Sequence, residues 1–173
     1  MVSNVSYALL DAPVIAGRGE DPALGTMTVA RLLEEVAALG GVLRHLGVTR
    51  GGPVVIDLAD DRDAVVAALA AARIGGVVTT ADDGTAPVVV VSAGSALVGG
   101  AGRTRLVKGE DVAEPDLEWN VMLRAGRTDP AACEVLDPAA AYSPDRTVAE
   151  EIELLSAVSP PYDATELRGL LGV

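Results

Sequence analysis

Apolar side chains recur at every third or fourth position between residues 28 and 46, at Val29, Leu32, Leu33, Val36, Leu39, Leu43 and Leu46. This spacing places them on one face of a helix. Thr28 stands where a helix N-cap is expected, and Gly47 stands where helices commonly end. The pattern therefore predicts an amphipathic helix over residues 28–46.

The periodicity changes after residue 53, where residues 54–58 form a short and almost continuous apolar run. Such a run is typical of a strand that is buried on both faces of a parallel sheet. Asp60 or Asp61 is then predicted to cap a second, alanine-rich helix over about residues 62–74, which Gly75 and Gly76 end.

Two further β-branched runs, residues 77–80 and 88–91, are predicted strands. Residues 81–87 between them contain turn-forming side chains and are too few to hold a helix. Because a parallel crossover needs about a dozen residues, the link is either a hairpin or a crossover that has lost its helix.

The middle of the chain is rich in glycine. Residues 92–109 are predicted to be a flexible connection, with Arg103, Arg105 and Lys108 as their concentrated positive charge. A short helix is predicted around Trp119, over residues 118–126, and residues 127–141 are predicted to be irregular.

The C-terminal segment has a different character. Ser143-Pro144-Asp145 is predicted to start a helix, because serine caps well, proline suits the first helical position and an acid favours the dipole. Pro160 and Pro161 should stop it, and Asp163 should start a final short helix. The pattern shows no internal repeat. We predict an α/β domain over residues 1–142 and a helical segment over 143–173 packed on the same domain.

These elements together predict an α/β fold with a small, mainly parallel sheet, helices on both of its faces and a closing C-terminal helix pair. The chain has 173 residues, half of them hydrophobic, which suits one substantial core. Its formal charge of −12 argues against extended contact with nucleic acid or anionic membranes.

The N-terminal residues, the length of the apolar runs and the cysteine content indicate where the protein is expected. No basic stretch precedes Leu9 and Leu10, and no apolar run reaches the roughly 18 residues of a membrane span. Cys133 is the single cysteine, so no internal disulfide can form. We therefore expect a cytoplasmic protein.

A resemblance to a known family rests on four collinear stretches. Residues 28–36, 46–54 and 67–77 resemble the opening of acyl-CoA synthetases of the adenylate-forming, AMP-binding (ANL) superfamily. Residues 118–134, from Glu118-Trp119-Asn120 to Cys133-Glu134, are similar to the stretch that precedes the catalytic loop in acetyl- and propionyl-CoA synthetases. The matches span about residues 7–137 with gaps.

The resemblance implies a Ser/Thr/Gly-rich loop with a lysine after Asp137, which would hold the ATP triphosphate. Backbone N–H groups, small residues and a lysine are needed there to neutralise the phosphates. Ala139-Ala140-Ala141-Tyr142-Ser143-Pro144 stands at that place instead. The later segments that bind adenine, ribose and Mg²⁺ in this family also have no counterpart here, so no family catalytic residue is carried over.

The candidate ligand site is therefore a different one. Ser92, Gly94, Ser95 and Arg103 follow a predicted strand, where doubly wound sheets bind ligands, and could form a surrogate anion site. The alternative is a flexible connection, since neither a P-loop nor a dinucleotide fingerprint is present. Asp57, in an apolar strand, is interpreted as a strand-end cap or as the partner of Arg73.

The remaining side chains predict no metal, cofactor or catalytic site. His45 and Cys133 do not form a zinc set or a nucleophile with its base. The leading hypothesis is a truncated, non-catalytic accessory or regulatory protein that acts through contact with another copy of itself or with an enzyme of acyl-CoA metabolism. The alternatives are a small-ligand binder for acyl-CoA, nucleotide or carboxylate, and an enzyme completed by a partner.

Overall fold

The computed structural model describes residues 3–100 and 102–173. Its helices, after a π-helical turn at Tyr7–Asp11, are α1 Ala12–Ile15, α2 Val29–His45, α3 Asp61–Arg73, α4 Trp119–Gly126, α5 Val148–Leu155 and α6 Ala164–Leu171. Its strands are β1 Pro22–Leu24, β2 Met27–Thr28, β3 Pro53–Asp57, β4 Val77–Thr79, β5 Val88–Ser92, β6 Thr104–Lys108, β7 Leu117–Glu118, β8 Ala141–Ser143 and β9 Arg146–Thr147. In the described part of the chain, no helix is long and apolar enough to cross a membrane.

Five strands form one parallel sheet in the order β4-β3-β5-β6-β7. Residues Val54, Val55 and Ile56 of β3 are buried, as a continuous apolar run between two neighbouring strands requires. The predicted α/β class and small parallel sheet are confirmed, together with the predicted helices α2, α3, α4 and α6. Asp60 caps α3 by accepting a hydrogen bond from the Asp63 amide at 3.0 Å.

The helices lie over the face of the sheet that carries Val54, Ile56 and Val88. Leu32, Leu39 and Leu43 of α2 are fully buried there. The alanines of α3, also buried, let that helix lie close to the sheet and to α2. One continuous apolar core therefore fills the space between helices and sheet.

Helices α2 and α4 approach each other through glycine. A Cβ atom built on Gly126 would lie within 3.0 Å of the Ala38 carbonyl oxygen, and one on Gly41 would lie within 3.0 Å of the Asp129 oxygen. Real side chains do not tolerate such distances, so glycine at both positions permits the crossing.

The second face of the sheet is covered by loops. The links from β4 to β5, from β5 to β6 and from β6 to β7 contain, as described, residues 80–87, residues 93–100 with 102–103, and residues 109–116. Their apolar side chains pack on the valines of this face, as the cluster of Ala86, Leu97 and Val112 with Val55, Val89, Val91 and Val107 shows. No helix of the described residues contributes to this cluster.

Two expectations are corrected by this arrangement. Strands β4 and β5 flank β3 and both run parallel to it, so the hairpin alternative for residues 81–87 is wrong and the crossover has no helix. Helices on both faces were expected, but the described helices occupy one face. The physical reason is that the three links on the other face are too short or too rich in glycine to form them.

Strand β6 was missed, because residues 92–109 were predicted to be a flexible connection. Residues 104–108 pair with β5 over their whole length, from Val88 opposite Thr104 to Ser92 opposite Lys108. Leu106 and Val107 are buried on opposite faces of the sheet. The glycines on both sides of this short β-forming run led to the prediction of a flexible connection.

The C-terminal helix does not start at Ser143, as the sequence analysis predicted. Strands β8 and β9 form a hairpin whose turn is Pro144-Asp145, and α5 begins after Thr147. The Thr147 hydroxyl accepts from the Glu150 amide at 3.3 Å, and the Glu150 carboxylate accepts from the Thr147 amide at 2.8 Å. The capping box of Thr147 and Glu150 therefore sets the N-terminus of α5, and Ser143-Pro144-Asp145 does not.

The hairpin and helix at the C-terminus repeat an arrangement found near the N-terminus, which corrects the expectation of no internal repeat. Both helices start with Thr-Val-Ala, at residues 28–30 and 147–149. Val29 and Ala30 donate backbone hydrogen bonds to Asp21 and Gly19, while Val148 and Ala149 donate to Ala140 and Pro138 with the same spacings. The two hairpin–helix units share turn length, cap and backbone bonding.

The second unit and α6 close the domain. β8 contacts edge strand β4, and α6 packs on α3. The buried Leu155, Leu167 and Leu171 belong to the same core as α2 and α3. The boundary placed between residues 142 and 143 falls inside β8, so residues 143–173 and the preceding chain share one hairpin.

Candidate functional site

The structure separates the predicted ligand-binding residues. Ser92 ends β5 at the carboxyl edge of the sheet, whereas Arg103 immediately precedes β6 at the amino edge. A five-residue strand spans roughly 16 Å, so the backbone of Arg103 lies far from that of Ser92, which pairs with Lys108 at the other end of β6. These residues are therefore not brought together around one ligand.

The two serines serve the turn that follows β5. The Ser92 hydroxyl accepts from the Ala59 amide at 2.8 Å, and the Ser95 hydroxyl donates to the Asp57 carboxylate. Gly94 lies between them with a φ of +87°, which glycine adopts without strain. Their polar groups are engaged within the protein at the edge where a ligand was predicted.

Asp57 ends β3 and binds Ser95 rather than Arg73, so the predicted pairing with Arg73 is wrong. Arg73 lies at the opposite end of α3, where it pairs with Asp11 at 2.7 Å. Its Nε donates to the Ala131 carbonyl oxygen at 2.7 Å. This buried guanidinium ties α3 to the N-terminal turn and to the segment after α4.

The positive charge of residues 92–109 holds the second-face loops in place. Arg103 pairs with Asp82 at 2.6 Å and keeps the pKa of that carboxyl below its usual value. Arg105 pairs with Asp116 and also donates to the Ser95 carbonyl oxygen at 3.0 Å. The two arginines thus anchor all three helix-free links and are not directed at a vacant anion site.

Lys108 is the chain's single lysine and ends β6. Its Nζ lies 3.2 Å from Asp63 and 5.0 Å from the centroid of the Trp119 ring. These contacts hold the ammonium between a carboxylate and an aromatic face, which suits a structural role.

A buried ionisable group in the C-terminal unit was not found from the sequence. The Glu151 side chain is fully buried and lies 2.6 Å from the Arg146 guanidinium. Burial raises the pKa of the Glu151 carboxyl to about 7, although the charge of Arg146 acts in the opposite direction. Glu151 takes the position that Leu32 has in the first hairpin–helix unit, so alignment of the two units would have revealed it.

The same unit holds the end of α6. The Tyr142 hydroxyl donates to the Leu171 carbonyl oxygen at 3.0 Å, and Arg146 donates to the Leu170 oxygen at 2.8 Å. Burial raises the pKa of Tyr142 well above its usual value, which keeps the hydroxyl a donor. These bonds satisfy carbonyl groups that a helix leaves free at its C-terminus.

Cys133 has the environment of a structural thiol. Burial raises its pKa to about 11, so the thiolate needed for nucleophilic attack is scarce near neutral pH. His45 lies in the last turn of α2, at the dipole end that favours a cation.

Residues 11–91 match the family model described as AMP-binding enzyme. This part of the chain is related to AMP-binding enzymes. The expected resemblance is thereby confirmed for the segment that contains α2, β3, α3 and β4 and ends within β5.

Several curated proteins share sequence with this region. An uncharacterized protein of Pseudomonas aeruginosa is 40% identical over 94 residues, which cover 49% of this chain and 15% of that protein. The acetyl-coenzyme A synthetase of Deinococcus radiodurans is 40% identical over 74 residues, covering 43% of this chain and 11% of the enzyme. That of Xylella fastidiosa is 51% identical over 51 residues, covering 30% and 8%. The chain therefore spans 15% or less of the length of these relatives.

Solved structures extend the similarity of fold beyond that region. An anthranilate CoA ligase in complex with anthranoyl-AMP matches with a TM-score of 0.67 at 18% identity, over 82% of this chain and 32% of the ligase. An acyl-CoA synthetase of Brucella canis matches with a TM-score of 0.63 at 18% identity, over 81% and 30%. The α/β architecture of this chain is thus the one found in part of each ligase.

Proposed function

We propose that this chain is a non-catalytic accessory or regulatory protein, related to the N-terminal region of AMP-binding enzymes, that acts through protein contact. Its partner is another copy of the chain or an enzyme of acyl-CoA metabolism. The observation that carries the proposal is the fold of the residues after Asp137, where the resemblance implies a triphosphate-binding loop.

Those residues are built into the domain core. Tyr142 of β8 is 1% exposed, and its hydroxyl is bonded to the end of α6. A phosphate-binding loop needs free backbone N–H groups and a lysine that can reach the phosphates. The hairpin β8–β9 and the capped start of α5 contain no lysine, and the amides of residues 147–150 are bonded within the unit.

The candidate anion site also supports a role without nucleotide chemistry. Ser92, Ser95, Arg103 and Arg105 are bonded to protein groups. Binding a phosphate there would require breaking ion pairs that hold the second-face loops, and the local acids would oppose the incoming charge.

Pyrophosphate exchange tests the proposal. The purified chain is incubated with ATP, Mg²⁺, labelled pyrophosphate and acetate or propionate, alone and with proteins that copurify with it. We expect no exchange by the chain alone. When the chain is added to a partner enzyme, we expect the exchange rate per active site of that enzyme to stay unchanged. Exchange by the chain alone would overturn the proposal, and exchange that appears only with a partner would favour a completed enzyme.

The small-ligand alternative has a separate test. Thermal-shift measurements with ATP, AMP, CoA and short acyl-CoAs should leave the melting temperature unchanged at micromolar ligand. A reproducible stabilisation would favour the alternative, since a ligand that binds the folded state raises stability by mass action.

A further inference from the structure

The outer surface of α2 carries two shallow grooves separated by the turn that follows α4. The first has a volume of about 490 Å³ and is lined by Ala30, Leu33, Glu34, Ala37, Arg127 and Pro130. The second has a volume of about 340 Å³, with Val42, Met122 and Ala125 among its lining residues. We call this surface the α2–α4 face.

The residues that line these grooves are mostly aliphatic, but some of them are charged. Leu33, Ala37 and Pro130 form an apolar wall for the first groove, and Arg127 stands beside them. Val121 of α4 is 51% exposed and lies one turn before Arg124. Exposed aliphatic groups next to guanidinium groups are typical of a surface that binds a partner.

The charges of this face differ from those of the whole chain. Ten of the thirteen basic side chains lie within 4.0 Å of a carboxylate. Among the described residues, the other three are Arg18, Arg124 and Arg127, and the last two are neighbours because they lie three residues apart. The two acids at the rim, Glu34 and Asp129, are already paired with Arg31 and Arg44.

A chain with 25 acids and a net charge of −12 thus presents in its first groove an arginine, Arg127, that has no nearby carboxylate among the described residues, and Arg124 lies three residues before it on α4. At physiological salt, charges more than about 8 Å apart are largely screened, so contacts within the face decide which partner is preferred. Two neighbouring guanidiniums match carboxylates spaced three or four residues apart on a helix.

We propose that the α2–α4 face docks an acidic, aliphatic helix of a partner protein. The leucine-like side chains of that helix enter the grooves along α2, and its carboxylates bind Arg124 and Arg127, as in other helix-in-groove complexes. The inference rests on the proposed function, because it names the surface and the partner chemistry through which protein contact occurs.

The probe is a synthetic amphipathic helix of leucine and glutamate, titrated into the ¹⁵N-labelled chain, with a leucine–lysine helix of equal length as its control. We expect shifts centred on Ala30, Leu33, Ala37 and Arg127 with the glutamate peptide and none with the lysine peptide. Arg124→Gln with Arg127→Gln should weaken binding about fivefold, since each exposed ion pair contributes modestly. The matched variant Arg50→Gln, which changes an exposed arginine near Glu134, should bind normally.

A charge-reversal variant tests whether the two arginines determine which peptide binds. The variant Arg124→Glu/Arg127→Glu, checked for native folding by its amide spectrum, should lose the glutamate peptide and bind the lysine peptide. Failure of the native chain to bind the glutamate peptide would overturn the inference, as would equal binding by the reversed variant. Concentration-dependent shifts of this face without peptide would assign it to a second copy and also overturn it. None of these outcomes depends on pyrophosphate exchange, so the inference and the proposed function fail separately.

Discussion

At the scale of single residues, close packing and burial place the strictest demands on the sequence. Gly126 lets α4 contact the backbone of α2 at Ala38, a distance that excludes any Cβ atom. Glu151 places a carboxylate inside the C-terminal unit, where, among the residues that the structure describes, Arg146 is the one cation within 4.0 Å of it. A substitution at either residue is predicted to have a large effect on stability.

Replacing Gly126 tests the helix crossing. Gly126→Ala should lower the free energy of unfolding by about 2–3 kcal/mol, because the added methyl group overpacks the contact with Ala38 and Val42. The matched change Gly169→Ala, in an exposed helical position with open space around it, should raise stability by about 0.5–1 kcal/mol. Urea denaturation measures both, and equal effects of the two changes would contradict the crossing.

The pH dependence of stability tests the burial of Glu151. Its folded-state pKa of about 7 exceeds its ordinary value of 4.5, so the folded chain retains a proton that the unfolded chain releases. Stability from this group is therefore full below pH 4.5 and falls as the pH rises toward 7, by up to about 3 kcal/mol. Glu151→Gln should flatten this part of the profile in denaturation experiments at pH 5 to 8. An unchanged slope would show that Glu151 is not the group responsible.

At the scale of elements, local signals decide where each helix begins. Thr28, Asp60 and Thr147 each accept an amide hydrogen bond from the first turn of the helix that follows. Ser143 has favourable neighbours for a cap but lies in a strand instead. In the hairpin, Tyr142 is 1% exposed and its hydroxyl donates to the Leu171 carbonyl oxygen, and both contacts stabilise the extended backbone.

Two matched substitutions separate the predicted from the observed start of α5. Thr147→Ala should cost about 1 kcal/mol, since the capping box is lost. Ser143→Ala should change the unfolding free energy by less than about 0.5 kcal/mol. Thermal denaturation measures the destabilisation by each substitution. A larger destabilisation by Ser143→Ala would indicate that the helix starts at Ser143.

The sequence predicted the elements whose signals are local and long. The period of α2, the apolar run of β3 and the caps of α3 and α6 depend on near neighbours along the chain. Strand β6 and the one-sided arrangement of helices depend on distant partners, since Arg103 and Arg105 become informative only beside Asp82 and Asp116. Sequence order also did not show that Ser92 and Arg103 lie at opposite edges of the sheet.

The loops on the second face should open more readily than the helical face. They bury few apolar side chains, and Arg103 and Arg105 supply much of their attachment. The variant Arg103→Gln/Arg105→Gln should speed amide hydrogen exchange in residues 80–87 and 93–100 while leaving α2 unchanged. Exchange measured by mass spectrometry would contradict this if α2 and the loops accelerated together.

At the scale of the whole molecule, the domain combines a fold shared with part of acyl-CoA ligases and a C-terminal unit that closes it. The family match ends at residue 91, within β5. Beyond it, the repeated hairpin–helix unit and α6 cover edge strand β4 and α3. These contacts close the domain, and the α2–α4 face is the surface that we propose for a partner.

Calorimetric titration of Mg²⁺–ATP into the purified 173-residue chain tests the central claim most directly. The account predicts no saturable heat of binding, with or without acetate, because the amides of residues 139, 140 and 147–150 are bonded within the domain. A micromolar dissociation constant accompanied by release of AMP and pyrophosphate would contradict it.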